Sequence, residues 1–310
     1  MMHINIPYNQ ITINLRALAP AKLPPFLGST LRGSLGMALK KLLCQKDILD
    51  DCQICNDFET CKYTYLFTNK VKSQGIDGHE CISNLPNPFV LRTPLNGKKE
   101  YFENDLLSFD MVIIGDAKKY VQLLFQAFRF MGENGLGAYR APFVFESAYD
   151  TLSGRTIYTN GKLNIECLTN TEWSSIKGDA CNELKIGLDT PLRLKSEGQI
   201  VKGISFELFI SSITRRLESL YRLYCDRDYI SDMKIMSKGI LVKKADLRLF
   251  HINRYSNREY QKQQLSGIMG SISFCGDLTE YLPYLKGGEI FHVGKFVTMG
   301  LGRFHIRKIG

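Results

Sequence analysis

The chain has 310 residues, 44% of them hydrophobic, enough to fill a core in each of two domains. Lys and Arg number 40 against 31 Asp and Glu, a formal charge of +9, the sign that a phosphate backbone attracts. The opening MMHINIPYNQ has neither a basic n-region nor an apolar h-region, and nowhere do eighteen apolar residues run unbroken; this argues against an exported or membrane-embedded chain, and a soluble, cytoplasmic one is expected.

Ile11, Ile13, Leu15 and Ala17 alternate with Thr12, Asn14 and Arg16, the period of a strand with one buried face. After Pro20 to Pro25, Ser29 is placed to cap a helix whose Leu31, Leu35, Ala38, Leu39 and Leu42 recur at helical spacing. A long polar stretch, about 44–104, then interrupts the pattern with Cys44, Cys52, Cys55 and Cys61, spaced C-x7-C-x2-C-x5-C. In a reducing compartment such thiols are read for metal ligation before disulfides. Four soft ligands with a short central pair suit one tetrahedral ion, so a structural zinc is expected to staple this insertion; an iron–sulfur cluster fits four thiolates as well. No HExxH, no Asp/Glu/His cluster and no P-loop is present, so no catalytic metal is expected.

An apolar strand at Met111 to Ile114 follows, then a helix with Val121, Leu124, Phe125 and Phe128 at i, i+3, i+4 and i+7, then glycines 132, 135 and 137 and a strand from Pro142 to Phe145. A linker or irregular segment is expected over 151–185. Beyond it, Phe206, Phe209, Ile210, Ile213, Leu217, Leu220, Tyr221 and Tyr224 make the longest amphipathic stripe in the chain. Strands are expected at Leu241 to Phe250 and Ser271 to Cys275, a helix at Leu278 to Leu285, and a last strand at Arg303 to Arg307.

The halves repeat one another. GENGLGAYRAPF at 132–143 parallels GKFVTMGLGRFHI at 294–306, with Gly-Leu-Gly in register. The expected fold is α+β: two tandem ferredoxin-like (βαββαβ, RRM-like) domains, 1–150 with the Cys-rich insertion and 186–310 with a glycine-rich loop.

Arg254-Tyr-Ser-Asn-Arg258, Gly267 to Gly270 and HVGKFVTMGLGRF at 292–304 resemble the C-terminal part of the CRISPR-associated endoribonucleases that process repeat-containing precursor RNA. GSTLRGSLGMALKKLLC at 28–44 and TPLRLKSEGQIVKG at 190–203 agree with that family. The resemblance implies a RAMP-superfamily protein that binds CRISPR repeat RNA and cuts it without metal, through attack of a 2′-hydroxyl on the adjacent phosphate. It also leaves room for a guide-RNA-binding subunit of an effector complex that does not cut, and for effector subunits as protein partners.

For phosphate binding, Gly294, Lys295, Gly300, Gly302 and Arg303 are the expected contacts, because glycines admit a close backbone approach and successive N–H groups hold an anion. The first-half loop has Glu133 where the second has Lys295, and is expected to be mainly structural. Arg258, Arg32 and Lys41 complete the expected RNA contacts. Cleavage needs a base, an acid and cations facing the phosphorane. Of five histidines, His292 beside the loop ranks ahead of His251, which precedes the Arg254 and Tyr255 cluster; His305 is expected on a solvated or RNA-facing strand. Many family members place a histidine on or after the first helix, and this chain has none between His3 and His79.

Overall fold

A computed structural model describes residues 3–45, 52, 55–68, 70–74, 80–176, 180–196, 198–201, 203–229, 239–256 and 261–308. It divides into two compact units, Tyr8–Asn170 and Met1–Pro7 with Thr171–Gly310.

The first unit is built on β1 (Asn5–Ala17), α1 (Leu27–Leu43), β2 (Phe89–Arg92), β3 (Leu106–Ile114), α2 (Val121–Glu133) and β4 (Phe143–Asp150). The strands lie in the order β4-β1-β3-β2 and every pairing is antiparallel. Ile11, Ile13, Leu15 and Ala17 alternate into a core shared with Leu31, Leu35 and Leu39 of α1 and Leu124, Phe125 and Phe128 of α2. Edge contacts of Phe125 with Phe145 at 5.3 Å and Phe109 with Phe128 at 5.8 Å tie α2 to the sheet.

The second unit repeats the plan with β5 (Glu183–Leu192), α3 (Phe206–Tyr224), β6 (Leu241–Phe250), β7 (Gly267–Cys275), α4 (Leu282–Phe291) and β8 (Phe304–Lys308). Its order is β6-β7-β5-β8, again antiparallel throughout. In both units the strands therefore run fourth, first, third, second across the sheet, which is the ferredoxin-like arrangement. Ser205 caps α3 by accepting from the Leu208 amide, and the stripe from Phe206 to Leu220 covers one face of the sheet. Phe206 meets Phe274 and Phe209 meets Phe304, each at 5.1 Å.

Three expectations are corrected. Helix α1 begins at Leu27 with Phe26 at its N-cap, so Ser29 lies inside it and caps nothing. Strand β2 falls within the stretch assigned to the Cys-rich insertion; only four residues long, it lacks the length for a visible alternation, yet Phe89, Val90 and Leu91 are all buried. The segment 151–185 is not a plain linker. It holds strands Thr156–Thr159, Lys162–Leu163 and Thr171–Ser174, and Asp150 fastens its first part by accepting from Ser153 and Thr169. Burial pushes the Asp150 carboxyl up, but those bonds outweigh it and hold it below its ordinary value.

The repeated Gly-Leu-Gly closes each unit in the same way. Gly135 and Gly137 have φ of 78° and 76°, Gly300 and Gly302 of 92° and 73°, while Leu136 and Leu301 between them are buried. Left-handed residues on both sides turn the chain sharply enough to drop the leucine into the core and start the last strand at once. A Cβ on Gly302 would stand 1.8 Å from the Val293 carbonyl oxygen, on top of its unfavourable φ. Gly302→Ala is therefore expected to destabilise the protein by about 2 kcal/mol or more in denaturant titration. An unchanged midpoint would show that the turn is not needed to set β8.

Candidate functional site

The glycine loop runs from the end of α4 to the start of β8 and is stitched to the end of β5. Its amides are largely committed inward. Lys295 N–H donates to the Arg193 carbonyl at 2.9 Å, Gly300 to Val297 at 2.8 Å, Gly302 to Pro191 at 3.1 Å, and Arg303 to the Thr190 hydroxyl at 2.8 Å. The buried Thr190 hydroxyl in turn donates to the Gly300 carbonyl at 2.8 Å. At these four positions the expected cradle of free N–H groups is taken up by protein acceptors, so the loop offers an anion its side chains: Lys295 is exposed, and Arg303 is half-exposed, 3.5 Å from Asp189.

His292 ends α4 with φ of 59° and is 1% exposed, its Nδ1 3.3 Å from the Leu301 carbonyl oxygen. One residue earlier, the Arg216 guanidinium donates to the Phe291 carbonyl at 2.9 Å, and burial draws its pKa down to about 10. A side chain so enclosed locks the loop against the helix and does not present itself to a polymer outside.

His251 is exposed just beyond β6, with Nδ1 2.8 Å from the Ser266 hydroxyl. Ser266 also accepts, through its carbonyl, from Arg193 at 2.8 Å, and Arg193 lies 5.6 Å from the centre of the Phe296 ring. Burial lowers the Arg193 pKa. Arg193 thus joins His251 to the loop, a link absent from the sequence reading because residues 193, 251, 266 and 296 meet only through the sheet. Arg254 and Tyr255 lie on a strand, Asn253–Ser256, paired with Gln261–Gln264; Arg258 lies outside the described residues.

In the first unit, Arg32 stacks 4.4 Å from the Phe67 ring centre and Lys41 lies 5.6 Å from that of Phe130. Arg32 and Lys41, two of the three cations of the first helix, are thus held against aromatic faces of their own unit. Cys44 forms the C-cap of α1, Cys61 the N-cap of a short helix Lys62–Phe67, and Cys55 N–H donates to the Cys52 carbonyl at 3.4 Å. Burial pushes the Cys52 thiol up, Lys40 opposes this, and Cys44, Cys61 and Cys55 are near enough to push it further up. Among the described residues, however, no three Cys, His, Asp or Glu side chains converge closely enough to ligate an ion.

The two duplicated units define the class: a tandem ferredoxin-like protein with a glycine loop ahead of each closing strand. Residues 6–170, more than half of the chain, match the family model described as AF_1859_N, N-terminal domain, and residues 186–304 match CRISPR-associated endoribonuclease Cas6. An uncharacterized protein of Archaeoglobus fulgidus is 28% identical over 290 residues, covering 92% of this chain and 93% of that one. Cas6 of Thermus thermophilus superposes with a TM-score of 0.52 at 13% identity, covering 98% of this chain and 99% of that one. A Cas6 product complex gives 0.55 at 12% identity, covering 97% and 100%. A partial Cas6-RT-Cas1-Cas2 complex gives 0.58 at 13% identity over 98% of this chain, which spans only 46% of the chain it matches. At these identities the structural likeness speaks for the fold. The chain belongs to the family defined by that N-terminal domain, and its residues 186–304 match the family of the CRISPR-associated endoribonuclease Cas6. Among the described residues no helix is long and apolar enough to cross a membrane.

Proposed function

We propose that the chain binds CRISPR repeat RNA and cuts the precursor without a metal ion, the 2′-hydroxyl attacking the adjacent phosphate to leave a 2′,3′-cyclic phosphate and a 5′-hydroxyl. The observation that carries this reading is that the Cas6-matched residues include the whole loop at 292–303, which internal bonds hold rigid while Lys295 and Arg303 stand at its rim. Phosphates would meet these two cations, with Arg193 and Phe296 beside them offering a guanidinium and a ring to an unpaired base. Arg32, Lys41 and Arg258 remain proposed as further RNA contacts, and His251 with Arg254 and Tyr255 as groups near the scissile bond.

A second reading, an RNA-binding subunit that does not cut, is favoured by one observation: the histidine nearest the loop is buried. Effector-complex subunits would be partners under either reading. Purified protein is expected to cut repeat RNA in EDTA, and a single 2′-deoxy substitution at the scissile position to abolish the cut. Lys295→Ala is expected to weaken binding and lower the salt slope by about one phosphate's share. Cleavage of the deoxy substrate, or strict dependence on magnesium, contradicts the mechanism; tight binding with no cleavage favours the second reading.

We also propose that Cys44, Cys52, Cys55 and Cys61 take up a structural zinc, which would pull the end of α1, the Cys52–Cys55 turn and the start of helix Lys62–Phe67 onto one ion. The proximity of Cys52 to the other three supports this. Elemental analysis should then find about one zinc per chain, and the double variant Cys52→Ser, Cys55→Ser should lose both metal and thermal stability. Metal-free protein with undiminished stability refutes the site.

A further inference from the structure

The face of the second sheet that α3 and α4 leave uncovered carries a constellation that neither the loop nor the buried histidine explains. Leu184, Ile186 and Leu188 of β5 point into the core, so Lys185, Gly187 and Asp189 point the other way, and Gly187 pairs with His305 of β8. His305 Nδ1 lies 2.6 Å from Asp189 Oδ1, and Arg303 Nε lies 3.5 Å from Asp189 Oδ2. An ionised carboxylate only accepts, so Nδ1 carries the proton of the neutral imidazole, and the lone pair is left on Nε2. The ring rests directly over Gly187: a Cβ there would stand 2.4 Å from Cε1 and 2.6 Å from Nε2. The His305 side chain is 42% exposed, against the 1% of His292. A glycine in an extended strand, where its φ needs no glycine, is accounted for by this ring.

We propose that His305, oriented by Asp189 and seated on Gly187, is the general base that takes the proton of the attacking 2′-hydroxyl, with Arg303 facing the charge that builds on the phosphorane. This rests on the cleavage reading above. In the step, the 2′-oxygen forms its bond to phosphorus while its proton passes to Nε2; the phosphorus–O5′ bond breaks, and water protonates the departing 5′-oxygen. Asp189 acts as a positioning residue, fixing the tautomer and stabilising the imidazolium once formed. Charged groups near His305 are Asp189 from β5, Arg303 just ahead of β8, Arg307 of β8 and its partner Lys185 on the same sheet face, and Glu289 from α4, whose carboxyl accepts from the Ile306 amide at 2.6 Å and has Lys286 near it. Burial raises the Glu289 pKa, outweighing the Ile306 amide bond and His305, which both draw it down.

Single-turnover cleavage of repeat RNA with enzyme in excess, alongside RNA affinity, tests the proposal. The parent rate should rise with pH, because only the neutral ring accepts a proton. His305→Ala and His305→Gln should bind RNA within about twofold of the parent and cut on the order of a hundredfold more slowly, with that rise abolished. Glutamine keeps the size and a donor for Asp189, so equal losses in both variants exclude a mere packing defect. Gly187→Ala, which displaces the ring and leaves the strand intact, should slow cutting about tenfold without changing affinity. If the parent cuts and both His305 variants cut at its rate with its pH profile, the assignment is overturned while the cleavage reading stands. If the parent binds and never cuts, both fall.

Discussion

Everything at the second unit's end hangs on one packing constraint: Leu301 must enter the core although the chain has just left α4 and must begin β8 within a few residues. Only left-handed residues on both sides allow it, and Gly300 and Gly302 supply them with φ of 92° and 73°. Once the leucine is seated, Thr190 ties the turn to β5 from both sides, and β8 has no freedom of register. That register puts Arg303 and His305 beside Asp189. The first unit uses the same turn around Leu136, but the residues after it are Ala138, Tyr139 and Arg140, with no carboxylate and histidine to match.

Duplication has left the same scaffold with different surfaces. In the first unit the α1 cations Arg32 and Lys41 lie on Phe67 and Phe130, which shields part of their charge from solvent. In the second, Lys295 and Arg303 stand at the rim of a loop whose amides at 295, 300, 302 and 303 are already bonded, so charge there is carried by flexible side chains on a rigid base. That combination suits a polyanion whose backbone must be held without reading its sequence.

Much of the fold was legible because its signals are local. The alternation at Ile11 to Ala17, the stripe of α3 and the paired Gly-Leu-Gly each occupy one continuous stretch, and all three fall where the structure has them. Strand β2 escaped because four residues show no period, and the strands within 151–185 because they are short and half-exposed. The site was less legible for a different reason. His292 stood out by its closeness to the loop in sequence, yet that closeness is what buries it, since the residue ending α4 must turn inward to let the loop begin. His305 reads in sequence only as a residue of a solvated or RNA-facing strand; its partner Asp189 is 116 residues away, and nothing short of the sheet register brings them together.

The central claim is that RNA is engaged at the loop and open sheet face of the second unit. Photocrosslinking of repeat RNA carrying a photoreactive base at the nucleotides flanking the scissile phosphate, followed by mass spectrometry of the attached peptides, tests it most directly. Crosslinks are expected on the stretch 293–307, at Phe296 above all, with weaker ones near His251. Crosslinks confined to residues 8–170, with none between 186 and 308, would contradict the account.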